Sequence, residues 1–255
     1  MSEVQLRIDG PIAEMRLDNP AKLNALTAGM LDQIAGHCDA IEALPHVVAV
    51  LLVATGTKAF CAGADIGAWA GLSPADFARH WVRSGHRIFD RLARLSKPTI
   101  AVLDGPAYGG GLELAAACDI RVMSPRSKIA LPETSVGIVP GWSGSQRLAR
   151  LLPEPVLKEM ALFGRVLTAE RCVALGFAAE VSDDPTAAAL EIAGRLRATS
   201  PRATEVAKYM LHAAVGEDRG AMIEALGSGM TAASADKAEG VAAFQAKRKP
   251  EFKGA

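Results

Sequence analysis

The sequence predicts an α/β fold whose last third is helical, on three observations. Residues 4–8 and 12–17 alternate apolar and polar side chains around Asp9-Gly10-Pro11, which reads as an antiparallel hairpin. The period then lengthens: Leu26, Met30, Leu31, Ile34 and Ile41 recur at helical spacing, and the unbroken apolar run over 47–53 is expected of a strand covered on both faces. After Pro153 strand signals fade, and segments near 154–163, 168–175, 184–199, 201–214 and 218–246 read as helices.

Between these landmarks strand and helix keep alternating. Ser73-Pro74 opens a helical stretch carrying Phe77, Trp81, Ile88, Phe89 and Leu92, which closes before Lys97-Pro98. Thr99-Ile100-Ala101-Val102-Leu103-Asp104 is the next strand, and Gly109-Gly110-Gly111 lies where a buried strand should turn into a helix. No fixed-period repeat or low-complexity linker interrupts the chain. The basic segment 247–253 reads as an exposed tail.

At 255 residues, half of them hydrophobic, the chain can bury a large core, which favours one compact domain with a smaller helical appendage. Lys plus Arg balances Asp plus Glu at 28 each, so no overall field recruits nucleic acid or an anionic membrane, and any anionic ligand is held locally. The start lacks a basic region followed by an apolar run, and no uncharged stretch approaches a membrane span; a soluble cytoplasmic protein is expected. Cys38, Cys61, Cys118 and Cys172 lie far apart without paired metal-ligand spacing and read as small buried thiols.

Two glutamates stand out. Glu113 follows the glycines by one helical turn, where unpaired amides and the positive end of a helix dipole suit a developing negative oxygen. Glu133 follows Ala130-Leu131-Pro132 and precedes Val136-Gly137-Ile138-Val139-Pro140-Gly141, an apolar setting that is costly for a carboxylate without a partner or a task. Together they indicate proton transfer. A third candidate is the small-residue loop over 59–66, which follows a buried strand at the end where open parallel sheets place their sites. Taken alone, each loop is equally a tight strand-to-helix connection.

Other templates fit poorly. Leu114 stands where a dinucleotide fingerprint needs its third glycine. Gly141-Trp142-Ser143-Gly144-Ser145 misses a nucleophile elbow at its last position, and no histidine has a context pointing to a catalytic base. His37, His46, His80, His86 and His212 form no zinc motif and read as surface or helix-face residues, so no metal is expected.

It is the combination and order of these features that discriminates. Asn19-Pro20-Ala21-Lys22-Leu23-Asn24-Ala25-Leu26, the loops at 59–66 and 105–116, Pro132-Glu133 through Gly137-Ile138-Val139-Pro140-Gly141, Gln146-Arg147-Leu148 and the segment 240–252 together resemble the enoyl-CoA hydratase/isomerase family, the crotonases, across residues 4–252. The resemblance implies a ββα spiral core over 1–195 that holds an acyl-CoA site. It also implies a helical region over 196–255 for oligomerisation and capping of the site, usually in a homotrimer or a homohexamer built as a dimer of trimers. Residue periodicity alone does not reach the spiral.

By the same resemblance, the amides of Ala62 and Gly110 form an oxyanion hole for a thioester carbonyl. Glu113 is the base on a water, Glu133 protonates the α-carbon, and the Gly141 amide holds the water. Lys22, Leu23, Ala62, Ala64, Asp65 and Ile66 bind coenzyme A, which arrives as part of the substrate, so no separate cofactor is implied. Lys249 and Phe252 of a neighbouring subunit are candidates for the adenine pocket, against the alternative of a solvated charge run. Keeping both glutamates favours a hydratase, like those of fatty-acid β-oxidation. Isomerisation, thioester hydrolysis, carbon-carbon cleavage and non-catalytic acyl-CoA binding stay open. One departure concerns the acyl pocket: Trp142 replaces a small residue common in family hydratases, and either packs in the core or narrows the pocket, which Trp69, Tyr108 and the 72–90 segment also line in this reading.

Overall fold

The computed structural model describes residues 2–217 and 219–254. Strands β1 (Glu3–Asp9) and β2 (Ile12–Asp18) form the expected hairpin, paired in register from Glu3 with Asp18 to Asp9 with Ile12. Helix α1 (Ala28–Glu42) starts at Thr27, whose hydroxyl accepts from the Met30 amide, and buries Met30, Leu31, Ile34, Cys38 and Ile41. Strand β3 (Ala49–Ala54) follows, parallel to β2.

After β3 come a short helix α2 (Ile66–Trp69), α3 (Pro74–Asp76) capped by Ser73, a π-helical turn over Phe77–Val82, and α4 (Arg83–Ala93). Strand β4 (Thr99–Leu103) returns to the sheet, β5 (Ala107–Tyr108) leaves it, and α5 (Gly110–Ala116) packs behind. The next cycle is β6 (Ile120–Met123), β7 (Lys128–Ala130), α6 (Gly144–Leu151) and α7 (Glu154–Phe163). Then β8 (Leu167–Thr168), α8 (Ala169–Ala174), β9 (Glu180–Val181) and α9 (Pro185–Gly194) follow, with a 3-10 turn over Arg195–Ala198 after them.

Two sheets result. The larger runs β1-β2-β3-β4-β6-β9, parallel from β2 onward, and the smaller runs β5-β7-β8. Isolated parallel bridges from Leu26 to Ala64 and from Cys61 to Ala107 extend the second layer beyond its named strands. Each cycle thus places one strand in each layer before a helix, which is the ββα spiral. Strand β3 explains its own unbroken hydrophobicity: Val50 and Leu52 belong to the main core, while Ala49, Leu51 and Val53 pack with Ala189 and Ala193 of α9 on the other face. All four cysteines are buried free thiols.

By its contacts the chain divides into two compact units, Met1–Pro201 and Arg202–Ala255. The segment expected as one helix over 218–246 is two, α11 (Arg219–Ala232) and α12 (Ala235–Gln245), following α10 (Pro201–Ala214); residue 218 lies outside the described residues. Ser234 interrupts it by capping α12, its hydroxyl accepting from the Lys237 amide at 3.2 Å. The basic tail is exposed but not loose. The amides of Glu251, Lys253 and Gly254 donate to Glu239 and Asp236 of α12, and Arg248 makes a two-pronged pair with Glu239. Among the described residues no helix is long and apolar enough to cross a membrane.

Candidate active site

The first unit holds a cavity of about 200 Å³, and both Glu113 and Glu133 line it. Their meeting depends on Gly109. This residue has φ 51° and ψ −124°, a conformation open to glycine, and a β-carbon there would fall 2.7 Å from Glu133 Oε1. The Gly109 carbonyl accepts from the Glu113 amide at 2.9 Å, starting α5 immediately beside the Glu133 carboxyl.

Glu113 is 3% exposed, and its Oε1 accepts two backbone amides, Gly144 N–H at 2.7 Å and Trp142 N–H at 2.8 Å. Gly144 is the first residue of α6, so a helix N-terminus points at the carboxylate. A β-carbon at 144 would sit 2.6 Å from the same oxygen, which is why the position is glycine. Burial raises the Glu113 pKa to about 7, against the two amides and the more distant Arg147 guanidinium, which favour the charged form, while Glu133 opposes it. The group is therefore poised to gain or lose a proton near neutrality.

Glu133 is also buried, and burial pushes its carboxyl above the usual range. Among the described residues its Oε2 has no hydrogen-bond partner. A buried, unmatched carboxyl oxygen favours the protonated acid. The pair thus contains one carboxyl aligned by amides and one left unmatched.

The oxyanion corner corrects one expectation. Ala62 N–H donates to the Leu23 carbonyl at 3.0 Å, so it is already engaged inside the protein. The amide left open is two residues on. In the bridge to Leu26, Gly63 O and Asp65 N face Leu26, so Ala64 N–H points the opposite way and meets no acceptor among the described residues. Gly110 N–H, first in α5, likewise has no intrahelical acceptor, and a β-carbon on Gly110 would lie 3.4 Å from Ala64 N. Ala64 and Gly110 therefore present neighbouring free amides at the cavity that Glu113 and Glu133 line.

The corner is fixed by Asn24, whose Nδ2 donates to the Thr55 and Ala59 carbonyls at 3.0 and 2.9 Å and whose Oδ1 accepts from the Asn19 amide at 2.9 Å. Leu23 and Asn24 both hold positive φ, 53° and 55°, and this turn aims the Leu23 carbonyl at Ala62. Around it the structure gathers the residues expected for coenzyme A. Lys22 Nζ pairs with Asp65 Oδ2 at 2.7 Å, holding the Asp65 carboxyl below its ordinary pKa, and Leu23 and Ile66 are exposed. Lys249 and Phe252 belong to the second unit, where Phe252 lies against Gly240 of α12.

Gly141 lines the cavity and its amide has no protein acceptor among the described residues, whereas the amides on Glu113 belong to Trp142 and Gly144. Trp69 and Trp142 also line it. Tyr108 does not: its contribution there is backbone, the amide donating to the Cys61 carbonyl at 2.9 Å and the carbonyl lying against Gly63. Beneath the Trp142 loop, Ser143 takes φ 77° and its hydroxyl bonds His86 Nδ1 at 2.9 Å, while Arg147 pairs with Asp90. His86 is thus a helix-face residue with a structural partner, and Ser143 is not among the cavity's walls.

The family model described as Enoyl-CoA hydratase/isomerase matches residues 7–255. The chain belongs to the enoyl-CoA hydratase/isomerase family. It is 36% identical to the putative enoyl-CoA hydratase/isomerase YngF of Bacillus subtilis, over 95% of each chain. It is 32% identical to the crotonyl-CoA hydratase of Syntrophomonas wolfei, over 94% of each. Among solved structures, an enoyl-CoA hydratase from Bacillus anthracis superposes with a TM-score of 0.81 at 29% identity, covering 99% of both chains.

Within this crotonase fold, sequence reasoning missed three features. The free amide of Ala64 was hidden because strand direction decides which of two neighbouring amides faces the cavity. The pairing of Gly144 with Glu113 was signalled only by a glycine placed just before the helical Leu148 and Leu151. The contact of His86 with Ser143, between residues 57 apart in the chain, left no mark in residue spacing.

Proposed function

We propose that this crotonase-family enzyme is an enoyl-CoA hydratase, adding water across the double bond of a trans-2-enoyl-CoA to give a 3-hydroxyacyl-CoA. The observation that carries the reading is the pair of buried carboxyls on one cavity, with Glu113 held by two amides and Glu133 unmatched. The thioester carbonyl accepts from the amides of Ala64 and Gly110. Ionised Glu113 takes a proton from water, whose oxygen bonds to the β-carbon. The double-bond electrons move toward the carbonyl and form an enolate, whose oxygen the two amides stabilise by roughly 3 kcal/mol each. Protonated Glu133 then delivers its proton to the α-carbon, and exchange with solvent restores both carboxyls.

The open Gly141 amide supports its role as the second holder of the water. Lys22, Leu23, Asp65 and Ile66 form the edge along which coenzyme A lies. The exposed Met210, Leu211, Ile223, Met230 and Phe244 of the second unit support its burial against further copies of the chain, in a homotrimer or homohexamer. Mixing purified protein with crotonyl-CoA tests the reading. Loss of the conjugated-enone absorbance with a gain of one water by mass, absent in Glu113→Ala, is expected. Persistence of the band across a panel of enoyl-CoA chain lengths contradicts it.

A further inference from the structure

The indole of Trp142 is built into the cavity wall. It is 3% exposed, its ring centroid lies 5.2 Å from Trp81 and 5.3 Å from Phe89, and its Nε1 donates to the Trp81 carbonyl at 3.3 Å. Two glycines make its seat. A β-carbon on Gly85 would fall 2.2 Å from the indole Nε1, and one on Gly110 would fall 2.8 Å from Cζ3. The ring therefore fills the gap between α4 and the start of α5, and its benzo edge lies against the residue that carries one of the free amides. A wall clamped by ring contacts, a hydrogen bond and two close backbones does not swing aside for a longer ligand.

We propose that Trp142 closes the acyl end of the cavity and restricts the enzyme to acyl-CoA thioesters with a compact acyl group of about four to six carbons, a property that rests on the acyl-CoA reading above. The space supports this. At about 200 Å³ the cavity lies below the usual range for small-molecule sites, roughly 300 to 1,000 Å³, and its remaining walls include Trp69, Phe77, Trp81 and Val82. Trp69 and Phe77 brace each other edge to face at 5.5 Å. The exposed Val136 and Val139 also line the cavity, so methylenes that find no room inside reach water there and gain no burial.

The test uses saturated butanoyl-, hexanoyl- and decanoyl-CoA, which cannot be hydrated, titrated by calorimetry into the wild-type protein and into Trp142→Ala and Trp142→Phe. Both variants keep the backbone amide on Glu113, and the phenylalanine change guards against a variant that fails to fold. The wild type is expected to bind decanoyl-CoA no more tightly than butanoyl-CoA. Trp142→Ala is expected to tighten decanoyl-CoA by about tenfold while moving butanoyl-CoA less than about threefold, with Trp142→Phe between them. Wild-type preference for decanoyl-CoA by tenfold, or an unchanged ratio in both variants, overturns the proposal. Because no turnover is read, a protein that discriminates chain length without hydrating crotonyl-CoA refutes the hydratase reading alone. One that binds none of the three thioesters refutes both.

Discussion

The Gly144 amide and the Glu113 carboxylate stand 2.7 Å apart, and no side chain fits between them. In the proposed hydratase mechanism the first peptide of α6 is thus part of the acid–base machinery, since it favours the charged form of a carboxyl that burial otherwise keeps neutral. Gly144→Ala forces the two apart. We expect turnover of crotonyl-CoA to fall about 100-fold, the lower end of what a positioned general base contributes. The acid limb of its pH profile should move above the wild-type value near 7, because the remaining environment disfavours the charge. A profile that stays in place would show that the α6 amide does not tune Glu113.

The same raised pKa makes folding stability depend on pH. Glu113 titrates near 4.5 in a solvated chain and near 7 in the folded protein, so between those values the folded state binds more protons than the unfolded one. Its contribution is fully present below pH 4.5 and is lost as pH rises through 7, a difference of about 3 kcal/mol. Glu113→Gln removes this dependence. In urea unfolding the variant should match wild type near pH 4.5 and exceed its stability near pH 8.5, with the remaining slope in the same direction owed partly to Glu133. Parallel curves for the two proteins would contradict the assignment.

Asn24 carries a structural prediction. Removing its side chain in Asn24→Ala leaves the Thr55 and Ala59 carbonyls and the Asn19 amide without that partner in a buried turn, which should destabilise the protein by about 3 kcal/mol. The turn also aims Leu23 at Ala62, beside the proposed coenzyme A edge, so KM should rise more than kcat falls. Urea unfolding and steady-state kinetics with crotonyl-CoA together check this; a change confined to kcat would place the defect elsewhere.

Much of this was legible in the residues, for identifiable reasons. The hairpin, α1 and β3 announce themselves because their apolar spacing is local, and Glu113 and Glu133 stand out as carboxyls among apolar neighbours. The strand-strand-helix spiral was not legible from periodicity, because β5 and β8 are only two residues long and leave no alternation to read. The open amide of this loop is expected at Ala62 but stands at Ala64, for a related reason. Which amide of a short segment faces a cavity depends on its pairing with Leu26, a contact between segments that residue spacing does not encode. Residue spacing leaves Trp142 between core and pocket wall, and the structure makes it both.

The most direct test of the central claim is the fate of isotopes when crotonyl-CoA reacts in deuterated, oxygen-18-labelled water. The expected product carries one oxygen-18 on the β-carbon and one deuterium on the α-carbon, formed by the wild type and lost, about 100-fold or more, in both Glu113→Gln and Glu133→Gln. A product with a shifted double bond and no oxygen-18, or release of free coenzyme A, would contradict it.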